Sequence, residues 1–384
     1  MQIHQFFERN NRQDLEKMKI QNGFSFPQKE LRGKKMTKKE KISRKEKQLL
    51  NIIGKDSQLS YKYIASTIGY KRENTIPKRI KKLRELDIVR GPYCDINLGA
   101  VGKNQVYNIY ADIAYSPEDR DLLFTLLKSI PGIRWIFPVQ QEDRFFVQFQ
   151  CNHYSIIGKL LKIVAQNHLI TYRMKASKNR WIIMNPNFFG PPLPDTRSLF
   201  AHCTLPDLTY PRIHPDIKWT TTDLTCMQYL QVETDSINRI RNIEYKVYGN
   251  FWTYSQIQYS IRKIKTSGII QSKEYHISPY PRNKCCTFIL VLQAKQKKTL
   301  LRVLHNFGRG CRLHKSYTIA GDTGFLFCWA SPEIMPEIIT IFDAVEGITT
   351  KGVYYLRTHS RRHYHKGSVL PPNSHRKVLV RAIF

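Results

Sequence analysis

The chain has 384 residues, with 62 lysines and arginines against 30 aspartates and glutamates, for a formal net charge of +32. This length predicts two to four folded domains, and a hydrophobic content of 41% excludes wholesale disorder. The longest apolar run, Cys285 to Leu292, is interrupted by Thr287 and is shorter than the ~20 residues of a membrane span. The start, Met1-Gln2-Ile3-His4, lacks the apolar core of a secretory signal. We therefore expect no membrane association.

The excess of positive charge predicts a polyanionic partner, whose counterions are released on binding. The eight cysteines form no CxxC pair, and Cys285, Cys286 and Cys328 lie in apolar runs where a thiol behaves as a small hydrophobe. This usage favours a reduced compartment. We expect a cytoplasmic protein.

The first half predicts a basic flexible arm over 1–42 and a winged helix-turn-helix over 43–105. Ser60 is placed to cap a second helix, Tyr61–Ile68, which Gly69 would end. A third helix is predicted from about Glu73 to Leu86. Two strands, Ile88-Val89 and Val106–Tyr110, would then form a hairpin wing around Gly99–Gly102.

Residues 106–184 predict a β-α-β-β-α-β, ferredoxin-like domain. Its expected strands are Val106–Ala111, Ile133–Val139, Arg144–Gln150 and Tyr172–Met174 running on toward Met184, and its helices are Pro117–Ser129 and Tyr154–Asn167. Seven prolines between 185 and 216 predict a semi-rigid, extended linker.

The same pattern then restarts. Residues 217–284 predict a second winged helix-turn-helix, with helices Asp223–Val232, Ser236–Val247 and Tyr254–Ser267 and a short wing around Ile277–Arg282. Residues 285–358 predict a second ferredoxin-like domain, with strands Phe288–Gln293, Ser316–Ala320, Gly324–Trp329 and Gly352–Arg357 and helices Gln296–Asn306 and Pro332–Val345. Residues 359–384 are a basic tail. The predicted fold class is α+β, with two winged helices each followed by a ferredoxin-like βαββαβ domain.

The third helices of both halves share one apolar spacing, which is typical of a recognition helix seated on two others. It is carried by Ile76, Ile80 and Leu83 in the first half and by Ile257, Ile261 and Ile264 in the second.

Together these stretches resemble the Lrp/AsnC family of transcription regulators. The resemblance covers roughly 43–184 and 217–358. It is carried by Leu59-Ser60, Ile64-Ala65, Ile68-Gly69, Thr75-Ile76, Arg79–Leu83, Ile88–Gly91, Ser129–Ile133, Ala320–Leu326 with its Gly-Asp hairpin, and Glu346–Thr350. The chain departs from the family in joining two units, in having Gln141-Glu142-Asp143 where the first Gly-Asp hairpin would lie, and in a longer turn over 248–252.

The resemblance implies sequence-specific regulation through double-stranded DNA, with the two units pairing inside one chain as a pseudo-dimer and with higher homo-oligomers possible. In the first recognition helix we assign Thr75, Lys78 and Arg79 to base edges. The phosphate contacts would be Lys71, Arg72, Lys81 and Arg84, with Lys82 on the same outer face. In the second helix Gln256, Tyr259 and Lys263 take the places of Thr75, Lys78 and Lys82, beside Arg262. The alternatives are a solvated basic face for the first helix and ordinary packing for Tyr254 and Tyr259.

By resemblance, a small-molecule effector such as an amino acid would bind at Gly321, Asp322 and Thr323. The alternative is a tight hairpin in which glycine supplies a positive φ. No catalytic residues and no cofactor are predicted. No metal site is predicted either, because His359, His363 and His365 lack partners at fixed spacing.

Two other functions remain open. Some haem-biosynthesis decarboxylases resemble this family and pair two AsnC-like units around a carboxylated tetrapyrrole. An RNA- or ribosome-associated basic protein would share the charge but not the groove-sized helices.

Overall fold

A computed structural model describes residues 42–102, 105–130, 132–140, 143–211, 216–232 and 236–356. The predicted arm over 1–42, apart from its last residue, and the predicted tail over 359–384 lie outside these ranges.

The first three-helix motif comprises α1 (Arg44–Lys55), α2 (Tyr61–Ile68) and α3 (Thr75–Glu85). Ser43 caps α1 in a capping box with Glu46. Ser60 accepts from the Tyr63 amide and caps α2, and Gly69 ends that helix at φ 77°, both as predicted. The apolar residues Ile76, Ile80 and Leu83 bury one face of α3, which leaves its opposite face to solvent.

Strand β1 (Val89–Ile96) follows α3, and the short helix α4 (Leu98–Gly102) follows β1. The first ferredoxin-like domain then runs through β2 (Tyr107–Tyr115), α5 (Arg120–Ser129), β3 (Ile133–Pro138), β4 (Arg144–Cys151), α6 (Tyr154–Gln166) and β5 (Ile170–Ser177). Its strand order is β3-β4-β2-β5, the order expected of a split βαβ unit. Ile109, Val147 and Phe149 bury one sheet face, together with Leu127 and Leu161 from the helices.

Beyond β5 the chain leaves the first domain. The prediction that this strand runs on toward Met184 is wrong: β5 ends at Ser177, and a separate strand β6 (Ile182–Met184) pairs with the second sheet. The proline-rich segment was predicted to be an extended linker, but its described part packs against the second domain. Leu199 and Leu208 enter the second domain's core, and the Asn306 amide donates to the carbonyls of Leu199 and Ala201 at 3.0 Å each.

The second half repeats the order with α7 (Thr221–Val232), α8 (Ile237–Tyr248), α9 (Tyr254–Thr266) and β7 (Ile270–Ile277). The second ferredoxin-like domain has β8 (Cys286–Ala294), α10 (Lys297–Asn306), β9 (His314–Ala320), β10 (Thr323–Ala330), α11 (Met335–Asp343) and β11 (Ile348–Leu356), in the sheet order β11-β8-β10-β9-β6. Short 3-10 turns lie at Pro117–Asp119, Thr196–Ser198, Arg282–Lys284 and Pro332–Ile334.

The two predicted wings do not form as hairpins within their own halves. Strand β1 pairs antiparallel with β7, from Val89 opposite Ile277 to Ile96 opposite Ile270, and we call this pair the β1–β7 ribbon. β2 cannot also pair with β1, because β4 and β5 already occupy both of its hydrogen-bonding edges. The glycine-bearing stretch predicted as the wing tip forms α4 instead. The strand of the second half, β7, ends at Ile277, where the second wing was predicted to begin.

The sheets of the two ferredoxin-like domains pack face to face. Tyr110 and Phe146 of the first sheet meet Ile289 and Phe325 of the second in a buried cluster. The Tyr110 and Phe325 ring centroids are 4.4 Å apart. The fold is therefore mixed α and β with antiparallel sheets, and its two units pair within one chain.

Candidate functional site

Basic side chains lie on the exposed face of α3 and just before its first residue. Arg84 donates to the Gly91 carbonyl at 2.7 Å and so fixes the start of β1. Thr75 is half-buried, and the other exposed bases along this stretch are Lys71, Arg72, Lys78 and Lys81. Together with Arg84, these four are the predicted DNA contacts of the first motif that are exposed to solvent.

Two other predicted DNA contacts hold the motif together. Arg79 and Lys82 lie 3.4 and 3.5 Å from the carboxylate of Glu46 on α1, which is 3% exposed. Burial alone raises the pKa of Glu46, but hydrogen bonds from Ser43 and the charges of Lys82 and Arg79 outweigh it and lower the pKa. Arg79, predicted to read a base, is thus paired to α1. The Ser43-x-x-Glu46 spacing is the signature of such a cap and was overlooked, whereas no local pattern in the sequence indicates the ion pair.

In the second motif, an ion pair likewise joins the third helix, α9, to the first helix, α7. Lys263 donates to the Asp223 carboxylate at 2.6 Å and to the Lys218 carbonyl at 2.7 Å. Gln256 accepts from the Thr253 amide in a capping box. Tyr259 and Arg262 remain exposed, with the guanidinium 5.9 Å from the ring centroid. Of the predicted contacts on α9, these two project freely.

The predicted effector residues form a tight hairpin with Gly321 at φ +65°. The Asp322 carboxylate accepts hydrogen bonds from Gln293, from Thr323 at 2.9 Å and from Lys175 of the first sheet at 3.3 Å. The hydrogen bond from Gln293, followed by that from Thr323, lowers the pKa of Asp322 to about 2. Because protein groups already donate to this carboxylate, Asp322 has a structural role in the hairpin, which favours the hairpin alternative.

A different cluster stands out where the β1–β7 ribbon approaches β9 and β10. We call it the His314 cluster, and it consists of His314, Trp329, His276, Arg90 and Tyr93. His314 is 2% exposed, and neither of its ring nitrogens has a hydrogen-bond partner within the described residues. Buried polar atoms are normally paired, so an orphaned imidazole is a candidate for binding a ligand.

The geometry of the cluster follows from strand register. His314 lies opposite Trp329 in the β9–β10 pair, with ring centroids 4.8 Å apart. His276 lies opposite Arg90 in the ribbon, and its ring is 5.9 Å from that of His314. Arg90 sits 5.5 Å from the Trp329 ring, and Tyr93 meets His276 edge-on at 5.0 Å.

Both imidazoles are held neutral. Burial, followed by the charge of Arg90, lowers the pKa of His276 to about 4. Burial, followed by His276 and Arg90, lowers the pKa of His314 well below its usual value. A neutral imidazole can bind a metal or accept a hydrogen bond.

Half-buried aromatic rings extend from the cluster across both sheets. We call them the aromatic row, and they are Trp135, Phe137, Phe327 and Trp329. Successive centroids are 6.0, 5.8 and 6.1 Å apart. The row offers a partly exposed apolar surface beside Arg90.

The other end of the ribbon differs in chemistry. Asp95 accepts from the Tyr210 hydroxyl at 2.7 Å and lies 3.6 Å from Arg180. The Asp95 carboxylate thus has partners within the protein, whereas the His314 ring nitrogens have none within the described residues. Sequence reasoning missed the His314 cluster because its members come from β1, β7, β9 and β10 and have no common spacing.

The cysteines, the metal-ligating side chains and the hydropathy of the helices limit the possible chemistry further. All eight cysteines are unpaired. Within the described ranges, no three His, Cys, Asp or Glu side chains gather closely enough to hold a metal on their own. The described helices are also too short or too polar to cross a bilayer. The three histidines that were considered and rejected as metal ligands, His359, His363 and His365, fall outside the described residues.

No protein-family model matches the chain, and no curated protein is similar to it. Among solved structures, siroheme decarboxylase NirDL in co-complex with an iron-uroporphyrin III analogue is similar at a TM-score of 0.41 and 13% identity, over 82% of this chain and 91% of that chain. A second NirDL structure has a TM-score of 0.41 and 11% identity, over 87% of this chain and 98% of that one. E. coli AsnC is similar at 0.30 and 17%, over 36% of this chain and 92% of its own. These similarities by themselves assign no function.

Proposed function

We propose that the protein binds a carboxylated tetrapyrrole at the His314 cluster and decarboxylates it, the alternative function raised by the sequence. The observation that carries this proposal is the buried His314 imidazole, which lacks a hydrogen-bond partner in the described residues and lies beside Arg90 and the aromatic row. NirDL, by its description, is a siroheme decarboxylase that binds an iron-uroporphyrin III analogue.

Each part of such a ligand has a matching group. A flat macrocycle packs well on aromatic faces such as Trp135 and Trp329. Peripheral carboxylates pair well with a guanidinium, here that of Arg90. A central iron takes a neutral imidazole, and low pKa values keep His276 and His314 neutral at neutral pH.

The chemistry demands little more of the protein. In a decarboxylation the bond between a side-chain carbon and its carboxylate breaks, carbon dioxide leaves, and a proton takes its place. The chain's task is to hold the carboxylate at a site with little water and to position a proton donor. The cluster contains two groups able to donate that proton, the Tyr93 hydroxyl and the protonated ring nitrogen of neutral His276.

Titration with iron-uroporphyrin III tests the proposal. We expect a shifted, sharpened main absorbance band with the wild type and at least a ten-fold weaker dissociation constant for His314→Ala. His153→Ala, an exposed histidine before α6, is the matched control and should behave as wild type. Mass spectrometry of the porphyrin reports loss of carboxyl groups. Equal binding by wild type and His314→Ala contradicts the assignment of the site.

Binding of duplex DNA is the second candidate function, and the exposed bases of α3 favour it. Lys78 and Lys81 project to solvent on a helix of a size that enters the major groove. Neutralising six to ten phosphates would give a log–log salt slope of about −5 to −9. Lys78→Glu with Lys81→Glu should abolish duplex binding and leave the porphyrin titration unchanged, which separates the two functions. Competition with structured RNA tests the third alternative.

A further inference from the structure

We propose that the second three-helix motif binds single-stranded nucleic acid by stacking bases on a surface of exposed aromatic rings. The rings and their exposed fractions are Phe251 at 79%, Tyr259 at 58%, Tyr245 at 55% and Tyr254 at 43%. This surface is separate from the His314 cluster and does not depend on the proposed decarboxylase activity. We call it the aromatic face.

The four rings lie close together in the chain, at the end of α8, in the turn before α9 and in the first half of α9. Phe251 lies in the turn between α8 and α9 and meets the Tyr245 ring edge-on, with centroids 5.2 Å apart and an interplanar angle of 70°. Tyr254 is the first residue of α9. Tyr259 follows about one and a half turns later, with the Arg262 guanidinium 5.9 Å from its ring centroid.

These rings are not needed to fill the motif's core. That core is already closed by Ile257, Ile261 and Ile264 of α9, which are at most 6% exposed, together with Leu230 and Ile240. Apart from its edge-on contact with Tyr245, the Phe251 ring lies in water and is not part of this core. Four large aromatic side chains exposed on one small motif mark an interaction site.

The charge around the rings selects an anionic partner. The same two helices, α8 and α9, carry four exposed bases: Arg241, Lys246, Arg262 and Lys265. Aromatic faces combined with a basic surround are how proteins hold unpaired nucleotides, since the rings stack on bases and the cations follow the phosphates.

A single strand fits better than a duplex. Bases in a duplex are stacked on one another and present only their edges. Two of the polar groups on α9 that were predicted to contact a duplex are engaged in the protein: Gln256 in its capping box and Lys263 with Asp223. What the helix offers instead is ring faces, which accept any base.

Fluorescence anisotropy with the full chain and labelled oligo(dT) of about 15 nucleotides tests this inference, with oligo(U) and a duplex of equal length as further probes. Phe251→Ala and Tyr259→Ala should each weaken oligo(dT) binding about ten-fold. The log–log salt slope should not change, because no charge is removed. Phe200→Ala, which removes a ring that is 48% exposed outside the motif, is the control and should bind as wild type.

Unchanged oligo(dT) affinity in both ring variants overturns the inference. So does tighter binding of the duplex with the same dependence on Phe251 and Tyr259, which would make the aromatic face a duplex-binding surface. A circular dichroism melt identical to wild type confirms that the exposed substitutions leave the fold intact. The porphyrin titration of Phe251→Ala should match wild type, so failure here and failure of the proposed decarboxylase remain distinguishable.

Discussion

The Lys263 ammonium donates a 2.6 Å hydrogen bond to the Asp223 carboxylate, and the two side chains are 18% and 1% exposed. Asp223 also accepts from the Thr220 amide just before α7. Glu46 does the same in the first motif, where it accepts from the Ser43 amide and pairs with Lys82. In both halves one acid therefore caps the first helix and anchors the third.

Lys263→Met should destabilise the second three-helix motif by about 3 kcal/mol, because it leaves the buried Asp223 carboxylate without its cation. Urea unfolding followed by circular dichroism measures the loss. Lys265→Met, at an exposed position of the same helix, should change the free energy of unfolding by less than about 0.5 kcal/mol. Equal effects of the two substitutions would contradict the anchoring role.

Asp223 also gives the motif an acid sensitivity. Burial alone raises the pKa of Asp223, but hydrogen bonds from Lys263, Ser260 and Thr220 outweigh it and lower the pKa. A lowered folded-state pKa stabilises the protein above the unfolded value of about 3.9. That stabilisation should disappear as the pH falls below this value, and Asp223→Asn should lose it at every pH. Unfolding free energies at pH 3 and pH 6 compare the two proteins.

The buried histidines predict a second pH dependence at milder acidity. The folded-state pKa of His276 is about 4, below the usual 6.5, because of burial and then the charge of Arg90. The unfolded chain therefore takes up protons first, and stability should fall as the pH drops below about 6.5. By pH 5.5 the loss should be roughly 1 kcal/mol for each buried histidine.

Urea titrations at pH 7.5 and pH 5.5 measure this loss. His276→Gln should reduce the difference between the two pH values by roughly a third, since His314 remains and so does His305, whose pKa burial also lowers to about 4. The exposed His153→Gln should leave it unchanged. An identical pH dependence in His276→Gln and wild type would show that His276 is not buried as a neutral group.

The contact between the two sheets depends on Phe325. This ring is 3% exposed and lies 4.4 and 5.9 Å from the rings of Tyr110 and Phe146. Phe325→Ala should cost about 3 to 5 kcal/mol, the usual range for removing a buried ring. Phe189→Ala, which removes a ring that is 50% exposed, should cost less than about 1 kcal/mol. A separate early transition in the Phe325→Ala unfolding curve would show that the two units come apart first.

Much of the local structure followed from the sequence. The cap at Ser60, the end of α2 at Gly69 and the buried face of α3 depend on residues within one or two turns of each other. Both βαββαβ orders followed from alternating and helical periodicities for the same reason. Local patterns sufficed where the determining contacts are local.

What the sequence did not predict depends on distant partners. Strand β1 could have paired with β2 or with β7, and only the occupied edges of β2 decide the outcome. The orphaned His314 depends on strands more than 200 residues apart, since β1 and β9 both contribute to its cluster. Arg79 and Lys78 are adjacent bases in the sequence, and nothing local shows that only Arg79 meets a buried acid.

Substituting Arg79 and Lys78 separately therefore distinguishes a side chain that stabilises the fold from one that is available to bind DNA. Arg79→Ala removes a cation 3.4 Å from Glu46 and should lower the free energy of unfolding by about 1 kcal/mol. Lys78→Ala, fully on the exposed side of α3, should stay within about 0.5 kcal/mol of wild type. If α3 contacts DNA, Lys78→Ala should weaken duplex binding and reduce the salt slope by about one. The reverse pattern, with stability lost at Lys78 and retained at Arg79, would mean that Arg79 faces outward and is free to contact a base.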